Sequence, residues 1–149
     1  MSKIQKVVVV GAGHAGGRIV AALRHNGFDG HLVLCGREQY PPYHRPPLSK
    51  ELLLGTSSHE ATYLMPQEFY DRIGIELRLD ENVTAIDTCK QEVHTGTGCV
   101  LRYDRLVLAT GAGVRRLDVP GTALRGIHYL RDINDSLLLR DGLRRAKRL

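Results

Sequence analysis

The sequence predicts an α/β fold built on a parallel sheet, and three observations carry that prediction. Residues 4–10 contain the continuous β-branched run Val7, Val8, Val9 and Val10, the mark of a strand buried on both faces of a parallel sheet. Over residues 14–25, Ala15, Ile19, Ala22 and Leu23 recur at helical spacing, and the segment stops at Asn26-Gly27, with Gly27 suited to a left-handed cap. Residues 31–35 form a second apolar strand, so strand, helix and strand fit within about 30 residues, the length of a right-handed βαβ unit.

Further along, Pro41, Pro42, Pro46 and Pro47 keep helix and central strand out of residues 36–48, which predicts a rigid extended loop. Ser49 is placed to cap a short helix over 50–54 that ends at Gly55, and Pro66 to open another that reaches Ile73. Residues 75–79 and 83–86 read as strands, and 92–94 with 100–102 as a hairpin around Thr95-Gly96-Thr97-Gly98. Residues 105–109 form another apolar strand, broken at Thr110-Gly111, and 127–130 read as one more. Asp132 caps a final helix that carries Leu139, Leu143 and Ala146 on one face.

Composition narrows the function. The 149 residues are about one domain's worth, and 42% hydrophobic with 25% charged residues is the balance of a soluble globular chain. The formal charge of +5 is concentrated at one end, where Arg140, Arg144, Arg145, Lys147 and Arg148 stand against Asp141 alone. With no Trp, six Tyr and two Phe, the aromatic platforms of a single-strand binder are scarce, so no nucleic-acid partner is expected. Cys35, Cys89 and Cys99 form no CxxC pair and lie near no His at zinc spacing, which predicts no metal, no disulfide framework and a cytoplasmic setting. The early apolar run is too short for a signal h-region or a membrane span.

The chemistry is carried by Gly11-Ala12-Gly13-His14-Ala15-Gly16, a G-x-G-x-x-G that follows a strand and opens a helix. In that context the first glycine permits the tight turn and the second lets backbone approach a pyrophosphate. The third lets helix and strand pack closely, and the helix N-terminus offers N–H groups to the anion. Glu38 follows about 20 residues on, at the end of the second strand, where an acid accepts hydrogen bonds from ribose hydroxyls. Together they predict a dinucleotide site. Arg37 beside it is able to accommodate a 2′-phosphate, but Glu38 would repel one, so NADP is disfavoured here. Ala109-Thr110-Gly111 ends a buried strand in small residues, which suits either a close cofactor or packing under a helix. Lys50 in the first turn of a helix meets an unfavourable dipole, which suggests a use for its charge; an ordinary surface lysine is the other reading.

VVVVGAGHAGG, GREQYPPYHRPPLSKELL and YDRLVLATGA together resemble, in order and spacing, the N-terminal part of the FAD-dependent NAD(P)H:ferredoxin reductases, relatives of putidaredoxin and rubredoxin reductases in the pyridine nucleotide-disulfide oxidoreductase superfamily. The resemblance implies a Rossmann-like FAD-binding domain with a small β-hairpin element. It implies that Gly11, Gly13 and Gly16, with His14 and Ala15 between them, cradle the FAD pyrophosphate and that Glu38 holds the adenosine ribose. It also implies that Arg45 contacts FAD, that Lys50 lies near the flavin ring and tunes it, and that the Val83 backbone holds the adenine. Ala109, Thr110 and Gly111 would turn against the cofactor, with Arg131 a further contact.

The activity so implied is hydride transfer from NAD(P)H to FAD and one-electron transfer to an iron–sulfur ferredoxin or rubredoxin. The missing CxxC argues against the disulfide-reducing branch. Members of that family are much longer, with a second glycine-rich βαβ for NAD(P)H. Residues 1–149 are therefore expected to be a partial FAD/NAD(P)-binding domain, with 1–130 as the flavin portion and 131–149 as a helix leading to a missing NAD(P)H domain. The competing readings are a stand-alone NAD(P)-binding Rossmann protein and a non-catalytic remnant that associates with a partner chain.

Overall fold

A computed structural model describes residues 4–146. Two compact units divide the chain: one comprises residues up to Tyr43 together with Tyr63–Gly111, and the other comprises His44–Thr62 with the residues from Ala112 onward.

In the first unit, strands β1 (Lys6–Val10), β2 (His31–Cys35), β3 (Ile75–Arg78) and β7 (Arg105–Leu108) form a parallel sheet in the order β3-β2-β1-β7. Helix α1 (His14–His25) connects β1 to β2. Three short strands, β4 (Val83–Asp87), β5 (Glu92–Thr95) and β6 (Val100–Arg102), form a separate antiparallel sheet in sequence order.

The period of two along β1 explains why the valine run is unbroken. Val7 and Val9 join Leu32, Leu34 and Ile75 in a cluster with Val20 of α1 and Tyr70 of α3 (Gln67–Arg72). Val8 and Val10 face the other way, into a cluster with Val33, Cys35 and Val93 and Leu101 of the small sheet. A parallel sheet is covered on both faces, and here helices cover one and the antiparallel sheet the other. Cys35 is fully buried in that second cluster, and burial pushes its thiol up to about 12, so it packs as a small hydrophobe.

Between the two sheets, polar groups are paired. Glu81 is buried; its Oε1 accepts from Thr95 Oγ1 and Thr97 Oγ1, both at 2.8 Å, and Arg78 donates to Oε2 at 3.4 Å. Burial alone raises the Glu81 pKa, but the Thr97 and Thr95 hydroxyls and Arg78 outweigh it and hold the carboxyl below its ordinary value. A carboxyl depressed in the fold contributes stability above its unfolded pKa and loses it as the pH falls through the folded value. Thermal melting followed from about pH 6 down to about pH 3 is expected to show that loss, with a shallower slope in Glu81→Gln. An equal slope in the variant would remove Glu81 from the account.

In the second unit, residues 46–49 form a 3₁₀ turn, followed by α2 (Glu51–Leu54), and α4 (Ile133–Arg145) closes the unit. Leu48, Leu52 and Ile133 are buried, and the buried hydroxyl of Ser136 donates to the Leu48 carbonyl at 2.7 Å. Asp132 caps α4 as expected, in a capping box: its side chain accepts from the Asp135 N–H while the Asp135 carboxylate accepts from the Asp132 N–H.

Four expectations need correction. Residues 127–130 form no strand; they run as irregular chain, with Ile127 half exposed. Ser49 does not cap α2: Pro46 and Pro47 start a 3₁₀ turn that includes Ser49, whose hydroxyl reaches back to the Pro46 carbonyl. Lys50 is the N-cap residue of a helix only four residues long, whose few aligned peptides sum to little dipole, so the argument from an unfavourable dipole loses its basis. On α4 the buried positions are Ile133 and Ser136, whereas Leu143 and Ala146 are exposed. Of the basic end, Lys147 and Arg148 lie outside the described residues.

Candidate functional site

The carboxyl ends of β1, β2 and β7 converge in the first unit, at the point where the chain leaves β1 toward β2 on one side while β7 pairs on the other. In open α/β sheets such a switch point leaves a crevice outside the strand ends. The glycine loop occupies it. The Gly11 N–H donates to the Cys35 carbonyl at 2.8 Å, and the Ala109 N–H donates to the Val10 carbonyl at 2.7 Å, which ties the loop between β2 and β7.

The three glycines of the motif serve different purposes. Gly11 has φ +112°, and a Cβ there would lie 2.2 Å from the Ala109 carbonyl oxygen. A Cβ on Gly16 would lie 2.0 Å from the Gly11 carbonyl oxygen. Both are required by the fold itself. Gly13 is not: its backbone is extended, with φ −87° and ψ −168°, and a Cβ there would meet nothing within 4 Å. Gly13 is also the N-cap of α1, with no side-chain cap and no acidic residue in the helix's first turn. A helix N-terminus, with its free N–H groups, favours an anion. The open space over Gly13, where a Cβ would stand, fits a phosphate group approaching the His14-Ala15-Gly16 turn.

Glu38 follows β2 and is held at its main chain: its carbonyl accepts from the Asp80 N–H at 3.0 Å, and the neighbouring Gly36 carbonyl accepts from the Glu81 N–H at 2.9 Å. Its carboxylate accepts a 2.5 Å hydrogen bond from the hydroxyl of Tyr43, whose ring is buried. The sequence reading missed Tyr43; its signal is an aromatic between two proline pairs, which needs the folded loop to show its partner. Arg37 is exposed. Val83 opens β4 and packs against the second cluster. Ala109 packs on the first cluster while its carbonyl and the Thr110 N–H abut Gly11, and Gly111 takes φ +68°. The strand end thus packs directly against the glycine loop.

Arg45, Lys50 and Arg131 belong to the second unit. Arg45 Nη1 donates to the Arg131 carbonyl, which brings those two residues together, while Lys50 is exposed. That unit also holds a cavity of about 350 Å³ lined by Arg116, Leu124, His128, Tyr129, Asp135 and Leu138, among others. Among the described residues there is no cluster of three His, Cys, Asp or Glu able to hold a metal, and no helix is long and apolar enough to cross a membrane.

A parallel sheet with a glycine loop at its switch point, an acid after the second strand and a small antiparallel sheet define a Rossmann-like α/β protein of the dinucleotide-binding class. The chain belongs to the pyridine nucleotide-disulphide oxidoreductase family, whose model matches residues 5–149. It is 40% identical over 146 residues to a probable ferredoxin reductase, CtmF, of Castellaniella defragrans, covering 98% of this chain and 35% of that protein. It is 40% identical over 134 residues to a rubredoxin–NAD(+) reductase of Pseudomonas putida, covering 90% of this chain and 35% of the relative. Among solved structures, the ferredoxin reductase for the CYP199A2 system from Rhodopseudomonas palustris superposes with a TM-score of 0.87 at 36% identity, over 92% of this chain and 34% of that one. A putidaredoxin reductase–putidaredoxin complex gives 0.83 at 36% identity, over 93% and 34%. The chain spans about a third of the length of the relatives it matches.

Proposed function

We propose that this chain is the FAD-binding portion of an NAD(P)H-dependent reductase that passes electrons to an iron–sulfur ferredoxin or a rubredoxin. What supports the reading above all is Gly13, a glycine the fold does not require, at the one point of the loop where a pyrophosphate would come closest to the backbone. The names of the similar proteins, ferredoxin and rubredoxin reductases, supply the direction of electron flow.

In this reading Gly11, Gly13, His14, Ala15 and Gly16 hold the pyrophosphate of FAD, Glu38 accepts hydrogen bonds from the adenosine ribose, and the Val83 main chain holds the adenine. Ala109, Thr110 and Gly111 bring main chain against the cofactor. Arg45, Lys50 and Arg131 supply positive charge, with the exposed Lys50 ammonium favouring negative charge on the bound ring. The flavin, when bound, accepts hydride from NAD(P)H and releases electrons singly; the side chains bind and orient it, and none is needed as an acid or base.

Adding FAD to the purified chain tests the reading. Flavin fluorescence is expected to be quenched and the melting temperature to rise with FAD concentration. Stronger protection by NADH or NADPH than by FAD would favour a stand-alone nicotinamide-binding protein instead. No response to either nucleotide would overturn autonomous binding and favour a chain that needs a partner.

A further inference from the structure

We propose that Tyr43 is the positioning residue of the dinucleotide site, fixing the Glu38 carboxylate in the orientation that meets the ribose; the inference rests on the reading of Glu38 given above. A glutamate at a strand end has three rotatable bonds, and in an exposed loop it loses side-chain entropy when it engages a ligand. Here that freedom is removed beforehand. The Glu38 main chain is tied to Asp80 through its carbonyl, and Oε2 accepts the Tyr43 hydroxyl proton at 2.5 Å, within the range of a charge-assisted O–H···O⁻ bond.

Tyr43 itself has little freedom. It is 2% exposed, and its backbone forms a β-bridge with Tyr63. The Pro42 carbonyl beside it accepts from the Leu64 N–H at 2.8 Å. The proline-rich loop therefore does more than bridge two elements: it carries a buried phenol to the end of β2 and aims it at the acid. The carboxylate so held is placed to accept from the ribose hydroxyls and to repel a 2′-phosphate. Preorganisation of this kind raises affinity by lowering the ordering cost, without adding a contact to the ligand.

The test is a double-mutant cycle on FAD affinity, read by fluorescence quenching of FAD added to the full chain. Tyr43→Phe keeps the ring and removes the hydroxyl; it is expected to weaken FAD binding by up to about tenfold when Glu38 is present, as the ordering cost of one freed side chain predicts. In the Glu38→Ala background the same change is expected to alter affinity less than about twofold, since nothing remains to position. An equal loss in both backgrounds would make Tyr43 a packing residue and overturn the proposal, as would no loss from Tyr43→Phe where Glu38→Ala does weaken binding. Glu38→Asp supplies a check that leaves the buried ring untouched: shortening the acid by one methylene keeps its charge but takes it out of reach of Tyr43. It is expected to weaken FAD binding to about the same degree, with no further loss on adding Tyr43→Phe; affinity equal to that of the unaltered chain would overturn the clamp. If Glu38→Ala leaves FAD affinity unchanged, the assignment of Glu38 fails first, and a chain that binds no FAD at all overturns the functional reading and this inference with it.

Discussion

Gly13→Val is expected to fold nearly as well as the unaltered chain and to lose affinity for FAD. The extended backbone at Gly13 is one that valine adopts freely, and the place its Cβ would occupy is empty of protein atoms. Replacing a glycine N-cap by valine costs about 1 kcal/mol at most. The branched side chain would, however, stand where the pyrophosphate is to lie, and overpacking of 1–3 kcal/mol against a ligand corresponds to roughly a 5- to 150-fold loss of affinity. Gly13→Ala is expected to fall between the two. The measurement is paired: melting temperature without FAD, and fluorescence titration with it. Normal FAD affinity in Gly13→Val would end the assignment of this loop to the pyrophosphate.

Gly11→Ala, two residues away, is expected to do the opposite. Its φ of +112° is strained for any residue with a Cβ, and that Cβ would sit 2.2 Å from the Ala109 carbonyl oxygen, a backbone atom that does not swing aside. Strain and overpacking each cost roughly 1–3 kcal/mol, a sizeable part of the 5–15 kcal/mol that holds a domain folded. The variant is expected to melt far below the unaltered chain, or to be recovered unfolded, whether or not FAD is present. Circular dichroism during heating decides it, and a melting curve that overlays the unaltered chain's would show that β7 is free to withdraw from the loop. The two variants separate what the glycine motif does for the fold from what it does for a ligand.

Where the sequence was legible, one local pattern had one physical outcome. Four consecutive valines have no polar face, so a strand covered on both sides is their natural place, and both clusters of the first unit form on them. Asp132 followed by an acid three residues later fits the cap of α4, and the reciprocal bonds are present. Residues 127–130 misled because short apolar alternation is shared by strands and by extended chain, and only a neighbouring strand decides between them.

The apolar face of α4 misled for a different reason. Its buried stripe includes Ser136, a polar residue that is affordable inside only because the Leu48 carbonyl accepts its proton, and no periodicity of apolar residues shows that. The site divides in the same way. The glycine spacing and Glu38 are local signals, readable without a fold. Tyr43 meets Glu38 only after the prolines have bent the loop, so its part is a property of the folded chain.

One contact in the second unit bears on how freely its sequence can drift. Arg45 is tied to Arg131 through the carbonyl of the latter, and the Arg131 N–H is taken up by the Asp135 carboxylate at 2.8 Å. The N–H and the carbonyl that residue 131 contributes are both main-chain groups, which every amino acid at position 131 except proline supplies. This hold on the Arg45 guanidinium therefore depends on the path of the chain and not on the side chain at position 131. A substitution that removes the side chain at position 131 would therefore leave this hold on the Arg45 cation in place, and its effect would report on the side chain alone.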